Sequence, residues 1–285
     1  MTTVPAPAPV RFEAVLSRAW ALFKPNWKIA LPPVIALFVI LIGAAAIAVA
    51  TIVTAAGAAA TRHTANAEAF AAVIIVVILL YCVAAVLIGV WSIVAMYGMA
   101  DAVWTHGTAT FADGNAAFSR LGAVLVALVG MIGLMFAAVV LALPTLFISL
   151  LAFPLVTMYV VPAVVSGRRG GFEAIGESFT LVRRFFVPSA LTLLILYAIA
   201  YGLGFVGAIG IIPVEFSMIG TKSDVPVMPP VPLLFFGGAF YLASLVLSVI
   251  YSGFQALVLV GLYRELIARP RDVLTAAPHP PPPGV

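Results

Sequence analysis

Five stretches of this chain contain no Asp, Glu, Lys or Arg: residues 29–61, 69–100, 121–167, 185–214 and 225–263. All are apolar, and a helix needs about 20 apolar residues to cross the hydrocarbon core of a bilayer. Residues 29–61, 69–100 and 185–214 each hold one span, with room for tilt or short polar ends. The last stretch opens on Pro226, Pro229, Pro230 and Pro232, so its helix is expected to start near Leu233. The third, at 47 residues, is too long for one span and fits two joined by a tight turn. Pro144 is the expected breaker there, because proline has no N–H and disfavours helix before it. The predicted fold class is all-α: a polytopic integral membrane protein with six transmembrane helices, at 30–55, 70–100, 121–143, 146–166, 186–212 and 233–262. This membrane domain covers 11–266, between an N-terminal tail (1–10) and a Pro-rich C-terminal tail (267–285), both expected to be disordered.

The basic residues orient the array. Twelve of the 14 Lys and Arg fall in alternate gaps between the spans, and only Arg62 and Lys222 fall in the others. Basic segments stay on the cytoplasmic side, so both termini of this inner-membrane protein are expected to be cytoplasmic. Five spans would put Arg264, Arg269 and Arg271 opposite Arg168, Arg169, Arg183 and Arg184; six put them together. Trp27, Tyr97, Trp104, Tyr251 and Tyr263 lie near predicted span ends, where amphipathic rings favour the interface.

Composition closes off several function classes. With 64% hydrophobic and 8% charged residues, a soluble fold would expose large apolar patches. The net charge of +4 comes from 14 basic against 10 acidic residues, which is no nucleic-acid signature. The single Cys82 excludes an intrachain disulfide, and the first 28 residues hold no apolar core of a cleavable signal peptide. His63, His106 and His279 are far apart, and there is no His-Glu-x-x-His, paired Cys or Gly-rich phosphate loop. No cofactor, metal or catalytic group is therefore expected. Asp101 and His106 lie five apart, off a common helical face. No ionisable residue falls inside a predicted span, which argues against a proton- or ion-coupled carrier.

Amphipathic segments precede spans one, three and five. Phe12, Val15, Leu16, Ala19 and Phe23 recur at helical spacing in the first. Phe172, Ile175, Phe179, Val182 and Phe186 do so in the third, and Phe111 and Phe118 mark a weaker second. Such helices are expected to lie in the headgroup plane with the apolar face towards lipid. Phe12-Glu13-Ala14-Val15 also aligns with Phe172-Glu173-Ala174-Ile175, and Lys24 with Arg184. The simplest description is three parallel units, each an interfacial helix followed by a transmembrane hairpin.

Several of these residues carry a family resemblance: Leu16–Trp27, Val160-Val161-Pro162-Ala163-Val164-Val165, the basic turn Gly167-Arg168-Arg169-Gly170-Gly171, and Phe172–Ser178. Across most of 11–266 the chain resembles the membrane domain of bacterial glycerophosphodiester phosphodiesterases and its stand-alone relatives. The family usually has an acidic residue shortly after the Pro-containing span, where Ser166-Gly167-Arg168 stands here. In the fused proteins the phosphodiesterase activity belongs to a separate soluble domain, so the resemblance implies membrane architecture and not catalysis.

The candidate sites are correspondingly plain. Arg168, Arg169, Arg183 and Arg184 are expected at the cytoplasmic surface, where guanidiniums attract anionic headgroups at about 1 kcal/mol each. Ser244, Ser248, Ser252 and Ala256, with Ala200, Gly204 and Ala208, form a candidate helix-packing stripe. Asp101, near the negative end of its helix dipole, is expected to be a solvated acid or to pair with Arg120, Arg183 or Arg184. The functional expectation is a non-enzymatic scaffold or lipid-associated module. Its expected partners are membrane lipids and either other membrane proteins or a second copy. The alternative is a permease or flippase-like carrier for an amphiphilic molecule.

Overall fold

Helix α1 (Phe12–Phe23) is amphipathic, and its period gathers Phe12, Val15, Ala19 and Phe23 on one buried face. In the computed structural model, which describes residues 12–61, 67–219 and 231–269, a short 3-10 turn leads from it into α2 (Leu31–Thr61). α2 forms a hairpin with α3 (Ala67–His106). The same order recurs. α4 (Phe111–Ala116) and a 3-10 turn precede α5 (Leu121–Val140), whose return is split into α6 (Ile148–Thr157) and α7 (Val160–Val165). α8 (Gly171–Arg184) then precedes the hairpin of α9 (Phe186–Ile219) and α10 (Val231–Ile267). Six segments are long and apolar enough to cross a membrane: Trp27–Ala56, Ala72–His106, Phe111–Val140, Ile148–Val165, Phe186–Pro213 and Val231–Ile267. The chain is an all-α, multi-pass membrane protein.

The long apolar run turns where proline demands it. α5 ends at Val140, and Leu141–Phe147, with Pro144 at its centre, reverses the chain. Leu146 (φ 49°) and Phe147 (φ 66°) adopt the left-handed conformation, which costs an L-residue about 1–2 kcal/mol. The turn answers its own backbone: the Phe147 N–H donates to Ala142 (2.7 Å), and the Ser149 hydroxyl donates to the Ala138 carbonyl (2.7 Å).

The return span is not one helix. Pro162 has no N–H to give the Met158 carbonyl, so helix stops at Thr157 and restarts at Val160. Ser178 of α8, fully buried, stands across the gap. Its hydroxyl donates to the Val156 carbonyl (2.5 Å) and accepts from the Tyr159 N–H (3.2 Å). Broken helices persist at membrane depth only where side chains satisfy the freed backbone in this way.

The three units close into a ring. α1 and α2 pack on α10 of the third unit, α4 and α5 on α3 of the first, and α8 and α9 on the α6–α7 span of the second. The return helices α3, α7 and α10 meet one another at the centre. The core lies where they meet, at the end of the bundle that carries α1, α4 and α8. Val94, Met99, Val103, Tyr159, Val160, Leu257, Leu262 and Tyr263 are among its fully buried members. Towards the other end α2, α3, α9 and α10 expose Val, Ile, Leu and Phe side chains freely, the surface a bilayer would cover.

Three expectations change. α1 turns its apolar face into the protein, whereas α8 exposes Phe172 and Phe179 and buries Ala174, Ser178, Leu181 and also Val182, which was expected on the lipid face; exposed Phe186 opens α9. Tyr97 and Tyr263 are core residues and not interfacial ones, and Trp104 and Tyr251 are half-buried, donating inwards to Leu257 (2.8 Å) and Leu196 (2.5 Å). Trp27 does lie exposed. In the packing stripe, Ser244 bonds the Leu203 carbonyl (2.8 Å) and Ala256 is fully buried, but Ser248 faces outwards and Gly204 meets nothing. Strict fourfold spacing rotates about 40° per step round a 3.6-residue helix. The contact therefore passes to Gly207 and Gly210, against Ser244 and Phe240, while Ser252, Ala200 and Ala208 are half-buried beside it. The tails through Arg11 and from Pro270, with Arg62, His63, Lys222, Arg271 and His279, lie outside the described residues.

Candidate functional site

Three grooves open at the packed, basic end, one beside each short helix. The groove beside α4 is built on a close approach of α3 and α4. A Cβ at Gly98 would lie 2.5 Å from that of Ala117 and 3.1 Å from the Asp113 carbonyl, so glycine there lets α4 rest on α3. Arg120, from the turn after α4, Arg168, from the end of α7, and Arg264, from α10, then line one cavity of about 610 Å³. Asp101 accepts from Arg264 Nη2 at 2.7 Å and Nε at 2.9 Å, and Nη2 also donates to Thr105 (2.6 Å). Asp101 is therefore neither a solvated acid nor a partner of Arg120, Arg183 or Arg184. α3 runs on to His106, so the carboxylate is one turn short of the negative helix end and within reach of α10. Asp113 is held by the Thr110 N–H (2.8 Å) and hydroxyl (2.7 Å).

Arg168 reaches this groove at a conformational cost. Its φ is +55°, in the left-handed region, although glycines stand on both sides of the Arg168-Arg169 pair. Gly167 cannot be exchanged for a larger residue: a Cβ there would lie 2.0 Å from the Tyr263 Oη and 2.7 Å from the Ala163 carbonyl. The Ser166 hydroxyl, also on this groove, is buried without a hydrogen-bond partner among the described residues.

The other two grooves carry cations already engaged. Beside α8, in about 760 Å³, Arg169 bridges Glu177 (2.5 Å) and Glu173 (3.0 Å), and the Tyr263 hydroxyl donates to Glu177 (2.9 Å). The hydrogen bond and charge of Glu177, then the charge of Glu173, hold the Arg169 guanidinium above its ordinary value. Arg184, stacked on Phe185, and Arg269, paired with Glu265, line the same groove. Beside α1, in about 450 Å³, Arg18 lies 4.8 Å over the Trp104 ring, a cation–π contact, and Gly261 makes room for that indole.

Arg168, Arg169, Arg183 and Arg184 are thus adjacent in sequence but not one cluster. Arg168 serves the α4 groove, Arg169 and Arg184 serve the α8 groove, and Arg183 is exposed on α8. The helix α8 and the left-handed turn separate them. Sequence reasoning missed that Arg120 and Arg264 would join Arg168; the available signal was that each stands at the basic end of a predicted span. Compared with models of known protein families, with curated proteins and with solved structures, the chain matches none. Asp101 and His106 line one groove, but the Asp101 carboxylate is bound to Arg264. Among the described residues no group of three or more His, Cys, Asp or Glu is placed to hold a metal ion.

A different cavity opens within the apolar layer. Between α3, α6, α9 and α10 lies a notch of about 460 Å³ lined by Tyr97, Thr157, Tyr197 and Gln255. Gln255 precedes Arg264 by nine residues, about 13 Å along the helix. The Gln255 amide has no hydrogen-bond partner among the described residues.

Proposed function

We propose that the chain is a non-enzymatic, lipid-associated scaffold of the inner membrane, with both termini and the three grooves on the cytoplasmic side. One observation carries this reading: the rigid core and the grooves lie together at the basic end, beside exposed Phe172 and Phe179 at the level a headgroup layer would occupy. A packed ring with arginines on its rim is suited to hold acidic lipid and to present a cytoplasmic surface to a second membrane protein or another copy. The resemblance to the membrane domain of glycerophosphodiester phosphodiesterases supports an envelope-lipid setting and adds no catalytic group. The test is purification from vesicles of mixed phosphatidylglycerol and phosphatidylethanolamine. Enrichment of phosphatidylglycerol on the protein, without saturable translocation of a labelled lipid, is expected; the reverse pair of results overturns the reading.

A second reading, a carrier for an amphiphilic molecule, draws on the notch. An amide without a partner inside the apolar layer is suited to receive the polar group of a molecule arriving laterally from lipid. Saturable flux that falls on Gln255→Leu would favour it over the scaffold.

A further inference from the structure

We infer that the groove between α4 and α7 is a phosphate-binding site, with Arg120 and Arg168 as its primary ligands and Arg264 as a supporting one. The inference deepens the lipid-associated reading and rests on comparing three grooves at equivalent places in the ring. Beside α8 the Arg169 cation is neutralised by Glu173 and Glu177. Beside α1, Arg18 is stacked on Trp104, and Glu265 is paired with Arg269. Beside α4, Arg120 and Arg168 have no carboxylate, hydrogen-bond or ring partner among the described residues. Of the two acids of that groove, Asp101 is taken up by Arg264, while Asp113, held by the neutral Thr110, keeps its charge and offsets only one of these two arginines.

Three further features suit a phosphate. Two guanidiniums from opposite ends of the second unit's hairpin sequence, one before α5 and one after α7, offer forked N–H donors to a group with several equivalent oxygens, a match that lysine does not provide. The buried Ser166 hydroxyl, without a partner among the described residues, can supply a donor at the groove wall. Arg168 is held in a left-handed conformation that a glycine would adopt freely, and its side chain lines this groove. The cavity, about 610 Å³, admits a phosphorylated headgroup or a small soluble phosphoester. Both sources present the same chemistry.

The test uses the full chain in detergent with two probes: phosphatidylglycerol, read by native mass spectrometry, and inorganic phosphate, read by its competition with that lipid and by calorimetry. Arg120→Gln with Arg168→Gln is expected to lower binding about tenfold, whereas Arg183→Gln, exposed on α8, changes it less than about twofold. Arg168→Gly serves as the folding control, because it relieves the left-handed strain: binding falls while the melting temperature rises. Competition by inorganic phosphate places the source among soluble phosphoesters; its failure, with lipid binding still lost in the variants, places it in the membrane. An equal loss on Arg183→Gln, or no loss in the double variant with either probe, overturns the site. If the wild-type chain retains phosphatidylglycerol but the double variant does so equally, this site fails while the lipid-associated reading stands. If the wild-type chain retains none, that reading fails, and the site stands only on inorganic phosphate binding that the double variant loses.

Discussion

Ser178 and Tyr159, nineteen residues apart, share one hydrogen bond at the break in the fourth span: the Tyr159 N–H donates to the Ser178 Oγ, which itself donates to the Val156 carbonyl. Ser178→Ala leaves two backbone groups unpaired at a buried break. A loss of about 1–3 kcal/mol is expected. Thermal or denaturant unfolding in detergent measures it, and an unchanged midpoint would show that the α8 hydroxyl does not hold the break.

Gly167 and Arg168 are neighbours with opposite expectations. Gly167→Ala drives a methyl into the Tyr263 hydroxyl and the Ala163 carbonyl, and is expected to cost about 1–3 kcal/mol by overpacking. Arg168→Gly removes a left-handed L-residue and is expected to stabilise by about 1 kcal/mol. Melting temperatures moving in the same direction would contradict the turn geometry described above.

Asp101 and Arg264 form a bridge that is about two-thirds buried on each side. A double-mutant cycle of Asp101→Asn and Arg264→Gln is expected to give a coupling of about 1 kcal/mol, above the range of most surface pairs. A coupling near zero would return Asp101 to the status of a solvated acid.

Gly207 and Gly204 separate the observed helix contact from the one that fourfold spacing suggests. Gly207→Leu pushes into Ser244 and is expected to cost about 2 kcal/mol, while Gly204→Leu, in open space, is expected to be neutral. Equal effects would mean that the face of α9 towards α10 is not the one described.

The six-span arrangement places Thr145 and Arg168 at opposite ends of the α6–α7 span. In a Cys82→Ser background, Thr145→Cys is expected to react with an impermeant maleimide from outside and Arg168→Cys only from inside. Reaction of both from one side would break the topology.

What was legible in the sequence follows from range. Span number and the Pro144 turn depend on local facts: run length, a missing N–H and the alternation of basic gaps. The recurrence of Phe-Glu-Ala foretold the repeated order of short helix and hairpin. What could not be read is which partner each side chain meets across the ring. Arg264 finds Asp101 from 163 residues away, and no spacing rule reaches that far. The aromatic rings were misplaced for the same reason, since an end-of-span Tyr looks alike whether it meets headgroups or, as at Tyr263, a glutamate of the last unit. Arg168 was seen as a charge and not as a strained backbone, because nothing in Gly-Arg-Arg-Gly says which residue takes the left-handed turn.

The closure of α1 on α10 has a consequence for biosynthesis. α1 leaves the ribosome long before α10, yet the surface that covers Phe12, Val15, Ala19 and Phe23 belongs to α10. Each later short helix meets its seat already made, α4 on α3 and α8 on the α6–α7 span, and can dock as it emerges. The opening segment must instead wait through the insertion of all six spans, its apolar stripe sheltered by the membrane surface or a chaperone. Any chain interrupted before α10 would carry that stripe uncovered.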